Sequence, residues 1–190
     1  GSTAPDEPVT LVFVGAFEPW HGILILLPAF AQLVAHNPNV RLVLIGSGTQ
    51  REQIVECIQQ LGLQDYVELT GQLGIHQVAQ RLAGAHIGVA PYCGWMEFSG
   101  LKLFDYKSAG LATVASGQDG QPATLAHGVT GWIVPPCDEA ALGQALIQLV
   151  DDRQLVRRIG RAARIEAEQR HTWRHTVEEL DQIFHKVSKT

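Results

Sequence analysis

The sequence predicts an α/β domain built on a doubly wound parallel sheet of about six strands. Three observations carry this. Val9–Val14 and Val40–Ile45 are nearly continuous apolar runs, each closed by a glycine, Gly15 and Gly46; such runs suit strands buried on both faces of a parallel sheet. Segments of helical period stand between the runs. Strand and helix signals alternate at nearly regular intervals, without internal repeat or low-complexity linker, as βαβ units require.

After the first strand, apolar residues at 23, 26, 27, 30, 33 and 34 mark a helix over 20–36. A helix over 53–61 follows the second strand, then a short strand over 67–70 and a helix over 75–82. The fourth strand, 86–90, runs into a break at Pro91, Cys93 and Gly94. Ser99 and Gly100 can open the next helix, whose apolar face would carry Leu101, Leu103 and Phe104 and which Gly110 ends. Strands over 111–115 and 131–134 and C-terminal helices over 139–150, 153–169 and 175–187 complete a Rossmann-like domain spanning 9–187. Residues 1–8 read as a disordered lead with a vector-derived Gly1–Ser2, and GSTAPDEP lacks the basic and apolar regions of a signal peptide.

With 190 residues the chain can bury a full core, and 46% hydrophobic against 17% charged residues is a globular balance. A net charge of −5 disfavours general nucleic-acid binding. No uninterrupted run of 18 apolar residues suggests a membrane span. Cys57, Cys93 and Cys137 are odd in number, far apart and without a CxxC, which points to a reducing, cytoplasmic setting rather than to a disulfide framework or zinc site.

The chemistry concentrates in 91–116, PYCGWMEFSGLKLFDYKSAGLATVAS. A helix N-terminus offers unpaired N–H groups and partial positive charge, enough to hold phosphate without a metal. Ser99 and Gly100 let a ligand approach the backbone. Glu97 before the helix and Asp105 within it, seven residues between them, can accept hydrogen bonds from sugar hydroxyls at both ends of a sugar–phosphate–ribose ligand. The same spacing also suits two solvated charges on an amphipathic helix.

EFSGLKLFDYKSAGLATVAS resembles the signature of the group 1 family of retaining, nucleotide-sugar-dependent glycosyltransferases, which have the GT-B fold. There the pattern is Glu, seven residues, Glu, an apolar helix, Gly and a Val-rich strand; Glu97 matches the first acid and Asp105 stands in place of the second. The resemblance implies the C-terminal, donor-binding half of such an enzyme, with the N-terminal acceptor domain absent and the fragment alone inactive. Glu97 would be catalytic, holding the donor sugar. Gly15, His21, Gly22, Gln72, Phe98, Ser99, Gly100, Leu101, Lys102 and Asp105 would bind the nucleotide-sugar. No metal and no cofactor are implied, and no Asp-x-Asp motif occurs.

The loop GAFEPWHG, 15–22, resembles the family's Gly-Arg-x-x-x-x-Lys-Gly loop, but Ala16 replaces the Arg and His21 the Lys. Lys102 is positioned in sequence to supply the missing charge, and Trp20 reads as a packing anchor. GSGTQR, 46–51, fails as GxGxxG because Arg51 occupies the third glycine position, and Arg51 reads equally as a diphosphate contact or a solvated helix start. Ala123 stands where the family carries a Glu. Arg153, Arg157, Arg161 and Arg164 share a helix face that suits solvent, with anionic lipid at the inner face of a membrane or an acidic partner as the alternatives. Trp173 and Phe184 would be exposed by the missing half and drive self-association. A nucleotide-sugar 2-epimerase, an NAD-dependent oxidoreductase and a non-catalytic scaffold are the competing readings.

Overall fold

The computed structural model describes residues 7–94, 100–117 and 122–187. Six strands, β1 (Val9–Val14), β2 (Val40–Ile45), β3 (Val67–Gly71), β4 (Ile87–Ala90), β5 (Ala112–Ser116) and β6 (Trp132–Val134), form one sheet in the order β3-β2-β1-β4-β5-β6. Every pairing is parallel. The helices are α1 (Ile23–His36), α2 (Arg51–Gln60), α3 (Ile75–Ala83), α4 (Leu101–Ser108), α5 (Glu139–Asp151), α6 (Arg153–Arg170) and α7 (Trp173–Val187). The strand order reverses between β1 and β4, and in open α/β sheets ligands bind in the crevice at the carboxyl ends of such strands.

Two apolar layers sandwich the sheet. Val9, Leu11 and Phe13 of β1 pack with Ile23, Leu26, Leu27, Phe30 and Leu33 of α1 and with Leu142, Leu146 and Leu149 of α5. Val12 of β1, Ala90 and Ala115 pack on the opposite face with Leu82 of α3 and Leu103 and Tyr106 of α4. Alternate residues of a strand thus serve opposite faces, which is why its run is apolar throughout. Pro19–His36 has the length and composition of a membrane span. The burial of α1 in the core accounts for that apolarity.

Several sequence boundaries shift for local reasons. The helix expected from residue 20 begins at Ile23, because Pro19–His21 forms a 3₁₀ turn and Gly22, at φ 67°, closes it with an N–H donated to the Pro19 carbonyl. The helix expected from 175 starts at Trp173. Leu101 does not share the apolar face with Leu103: it is exposed while Leu103 is buried, since residues two apart cannot lie on one side of a helix.

The expectation of three separate thiols is corrected. Cys93 and Cys137 form a disulfide with Cα atoms 4.8 Å apart, and Cys57 is free. The fold brings the loop after β4 beside the loop after β6, although the two cysteines are 44 positions apart in the sequence.

Candidate functional site

The crevice at the reversal point is walled by the loop after β1 and by residues 91–94 after β4. The first is laced to the loop after β2. Phe17 is buried, its N–H donates to the Ser47 carbonyl, and its own carbonyl accepts from Gln50 N–H. Glu18 accepts from the Thr49 hydroxyl at 2.6 Å and from its N–H at 3.2 Å. These bonds, the hydroxyl's first, hold the Glu18 pKa down.

This lacing explains the GSG of the second loop. A Cβ at Gly46, where φ is +140°, would lie 1.9 Å from the Gly15 carbonyl oxygen, and one at Gly48 would lie 2.6 Å from Phe17 N. The partial fingerprint is therefore a loop-packing device. Gly46→Ala is expected to destabilise the chain by about 2–5 kcal/mol, read as a lowered urea midpoint; an unchanged midpoint would contradict the packing role. Gly22 is held likewise, its absent Cβ falling 1.7 Å from the Pro91 carbonyl oxygen. Its N–H is already spent on Pro19, so Gly22 shapes the crevice rather than offering that N–H to a ligand.

Lys102, in the first turn of α4, reaches across the crevice. Its Nζ is buried and has no hydrogen-bond partner among the described residues. It lies 4.2 Å from the ring centre of Phe13 and 4.9 Å from that of Tyr92. A Cβ at Gly15 would approach it to 2.9 Å, so the glycine opens the space it occupies. Burial lowers its pKa to about 7. Burial likewise raises that of Tyr92 to about 12, which keeps the phenol neutral.

His21 sits beside this ammonium, its ring centre 5.7 Å from that of Tyr92. Its Nδ1 bonds the Ala16 carbonyl, which can only accept, so Nδ1 carries the proton and Nε2 is the remaining polar edge. Burial, then the Lys102 charge, lower the His21 pKa, outweighing the bond to Ala16. His21 is thus held neutral in the empty crevice, and Lys102, with its pKa near 7, is the cation of the site below neutral pH.

Gly100 is buried, adopts φ 61° and caps α4, accepting from Leu103 N–H. Asp105 is exposed as a residue, yet partial burial of its carboxyl raises its pKa. Leu101 projects outward. Gln72 is exposed beyond the end of β3, and the preceding Gly71 carbonyl accepts from Gly46 N–H, so that carbonyl is engaged within the fold. Trp20 is 37% exposed and is not the packing anchor expected. Arg51 is exposed at the start of α2. Glu97, Phe98 and Ser99 lie outside the described residues.

Two side chains that sequence reasoning passed over hold α4 in place. The buried Tyr106 hydroxyl accepts from Val14 N–H at 2.9 Å and donates to the Val89 carbonyl at 3.2 Å, tying α4 to β1 and β4 where the sheet reverses. Gly88 admits its ring, since a Cβ there would lie 2.5 Å away. Lys107, fully buried, donates to the Thr124 carbonyl at 2.7 Å and pairs with Glu166 of α6 at 3.0 Å. Among the described residues no group of three or more His, Cys, Asp or Glu side chains is placed to hold a metal ion.

The family model described as "Glycosyl transferases group 1" matches residues 1–166. The chain belongs to the group 1 glycosyltransferase family. This group 1 chain is 33% identical over 187 residues to a phosphatidyl-myo-inositol mannosyltransferase of Mycolicibacterium smegmatis, covering 97% of itself and 47% of that protein. It is 31% identical over 173 residues to a D-inositol 3-phosphate glycosyltransferase of Streptomyces avermitilis, covering 86% of itself and 37% of the relative. It therefore spans less than half the length of either. Among solved structures it is similar to Anabaena Alr3699/HepE in complex with UDP, at TM-score 0.84 and 23% identity over 97% of this chain and 50% of that one. It is equally similar to sucrose-phosphate synthase from Thermosynechococcus elongatus, at TM-score 0.84 and 26% identity over 98% and 47%. Its fold is the Rossmann-like unit of GT-B glycosyltransferases.

Proposed function

We propose that this chain is the donor-binding part of an enzyme that transfers a hexose from a nucleotide-diphospho-sugar to an acceptor, with retention and without a metal. The observation that carries the reading is Lys102, whose buried Nζ has ring contacts but no hydrogen-bond partner among the described residues and lies in the crevice between β1 and β4. An unpaired polar group there costs stability, which a diphosphate in the crevice would recover. Among the relatives, the UDP complex of Alr3699/HepE and the mannosyltransferase name agree with a nucleotide-sugar donor.

In this mechanism the diphosphate rests between Lys102, Nε2 of His21 and the start of α4. As the bond between sugar and diphosphate breaks, negative charge grows on the departing diphosphate. The ammonium and the helix N–H groups are already oriented toward it, so no reorganisation opposes the transition state. Asp105 holds the ribose hydroxyls and Glu97 the donor sugar. The acceptor belongs to a further, N-terminal part, and this chain alone transfers nothing. The proposed setting is the cytoplasm, with the inner face of a membrane as the alternative. Trp173 and Phe184 on α7, 86% and 67% exposed, are the proposed surface for self-association of the chain alone.

Ala16 and Ala123, where the family carries charged groups, favour one second reading, a non-catalytic nucleotide-binding module. The donor reading expects Asp105→Ala to weaken a nucleoside diphosphate about tenfold, the loss of a bidentate charged hydrogen bond. Unchanged affinity in calorimetry would remove Asp105 from the site. In the full-length protein, sugar transfer separates the enzyme from the module.

A further inference from the structure

The Cys93–Cys137 bridge lies one residue from the crevice wall. Tyr92, beside Cys93, presents its ring to Lys102 and to His21. Cys93 N–H donates to the Trp20 carbonyl at 3.0 Å, and its Cβ would lie 3.6 Å from a Cβ on Gly22. The loop after β4 is thus joined on one side to the 3₁₀ turn that carries His21. The bridge joins it on the other side to the loop between β6 and α5. Cys137 is exposed and Cys93 half-buried, so an outside thiol can reach the bridge. Cys137 is also the one non-glycine residue at positive φ, 59°, among the described residues. An unbridged cysteine would rarely settle in that conformation.

We propose that this disulfide is a redox latch: closed, it holds the Tyr92 wall against Lys102 and His21, and reduced, it releases the wall and weakens donor binding. The inference rests on the donor reading above, whose site it would regulate. The reductant is a dithiol. One thiolate attacks the exposed Cys137 sulfur, the bridge breaks, and Cys93 leaves as a thiolate that takes up a proton. The reductant's second thiolate then displaces Cys137, closing the reductant's own disulfide. Two electrons and two protons pass to the bridge. In a reducing compartment the latch would stand open until an oxidant closed it, so the redox state of the compartment sets donor affinity.

The test uses the chain with and without a dithiol reductant, beside Cys93→Ala/Cys137→Ala. Thiol titration should count one thiol before reduction and three after it; three before any reduction, even after oxidant treatment, would overturn the bridge. Hydrogen exchange should quicken at the amides of Tyr92, Cys93 and Gly94 and of Cys137 and Asp138 on reduction and in the double variant, with the strands unchanged. UDP or the best-binding nucleoside diphosphate should bind about fivefold or more weakly in both, within the range of couplings between linked sites. Quickened exchange with unchanged affinity would reduce the bridge to a structural staple and overturn the latch. Unchanged exchange would overturn it as well. If the oxidised chain binds no nucleoside diphosphate, the donor reading falls, and the exchange result alone decides whether the bridge controls the wall.

Discussion

Lys102→Met is expected to lower the affinity for a nucleoside diphosphate about tenfold to a hundredfold at neutral pH while raising the thermal midpoint of the empty chain. The binding loss follows from removing a charged donor from a site with little water to replace it. The stability gain has the opposite origin. The folded-state pKa of about 7 lies below the ordinary lysine value of 10.5. Between those values the unfolded chain holds the proton more tightly, so the empty chain gains stability as pH rises from about 7 toward 10.5 and loses it as pH falls. The displacement corresponds to a few kcal/mol, which an apolar isostere would return. Diphosphate binding should in turn raise the Lys102 pKa. Affinity should therefore fall as pH climbs above about 7, binding near pH 8 should take up a proton, and Lys102→Met should flatten both effects. Calorimetry in buffers of different ionisation enthalpy reads the proton directly. A variant that binds as well as the original and melts at the same temperature would remove Lys102 from the site.

Glu166→Ala is expected to be the more damaging change to the fold, costing about 3–5 kcal/mol and lowering the midpoint by roughly 10 °C. It strands the fully buried Lys107 ammonium with only the Thr124 carbonyl. Lys107→Met should cost less, because Glu166 is 26% exposed and can be partly rehydrated. The double variant Lys107→Met/Glu166→Leu should recover much of the loss, since no unpaired buried charge remains. Burial works against ionisation of Glu166, but the hydrogen bond and charge of Lys107, with the Thr130 hydroxyl, outweigh it and the pKa is lowered. The pair's stabilisation is thus present above the ordinary glutamate value of 4.5 and is lost as pH falls through the lower folded value. A midpoint shift of under about 2 °C for Glu166→Ala would show the pair to be marginal. The consequence for function is positional, because Lys107 and Tyr106 both anchor the helix that aims Lys102.

Much of this was legible in the sequence. The apolar runs of β1 and β2 placed the sheet, and the glycine-punctuated loops after β1 and β4 placed the crevice, because burial on two faces leaves a periodic imprint. Partnerships across space leave none. Nothing in spacing shows that Cys93 meets Cys137, that Gly88 yields to Tyr106, or that Lys107 finds Glu166 59 positions on. The glycines at 46 and 48 could be seen but not interpreted, since a close approach between two loops and a phosphate cradle use the same residue for the same freedom. His21 illustrates the limit for charge: its identity suggests a conditional cation, whereas its half-buried position beside the Lys102 amine holds its pKa down.

The measurement that bears most directly on the donor reading is a calorimetric titration of the oxidised chain at pH 7 with UDP, GDP, ADP and TDP, each beside its nucleoside. The account predicts that one diphosphate binds selectively and that its nucleoside binds far more weakly, because Lys102, His21 and the start of α4 recognise phosphate. Equal binding of nucleoside and diphosphate, or binding of none, would contradict it.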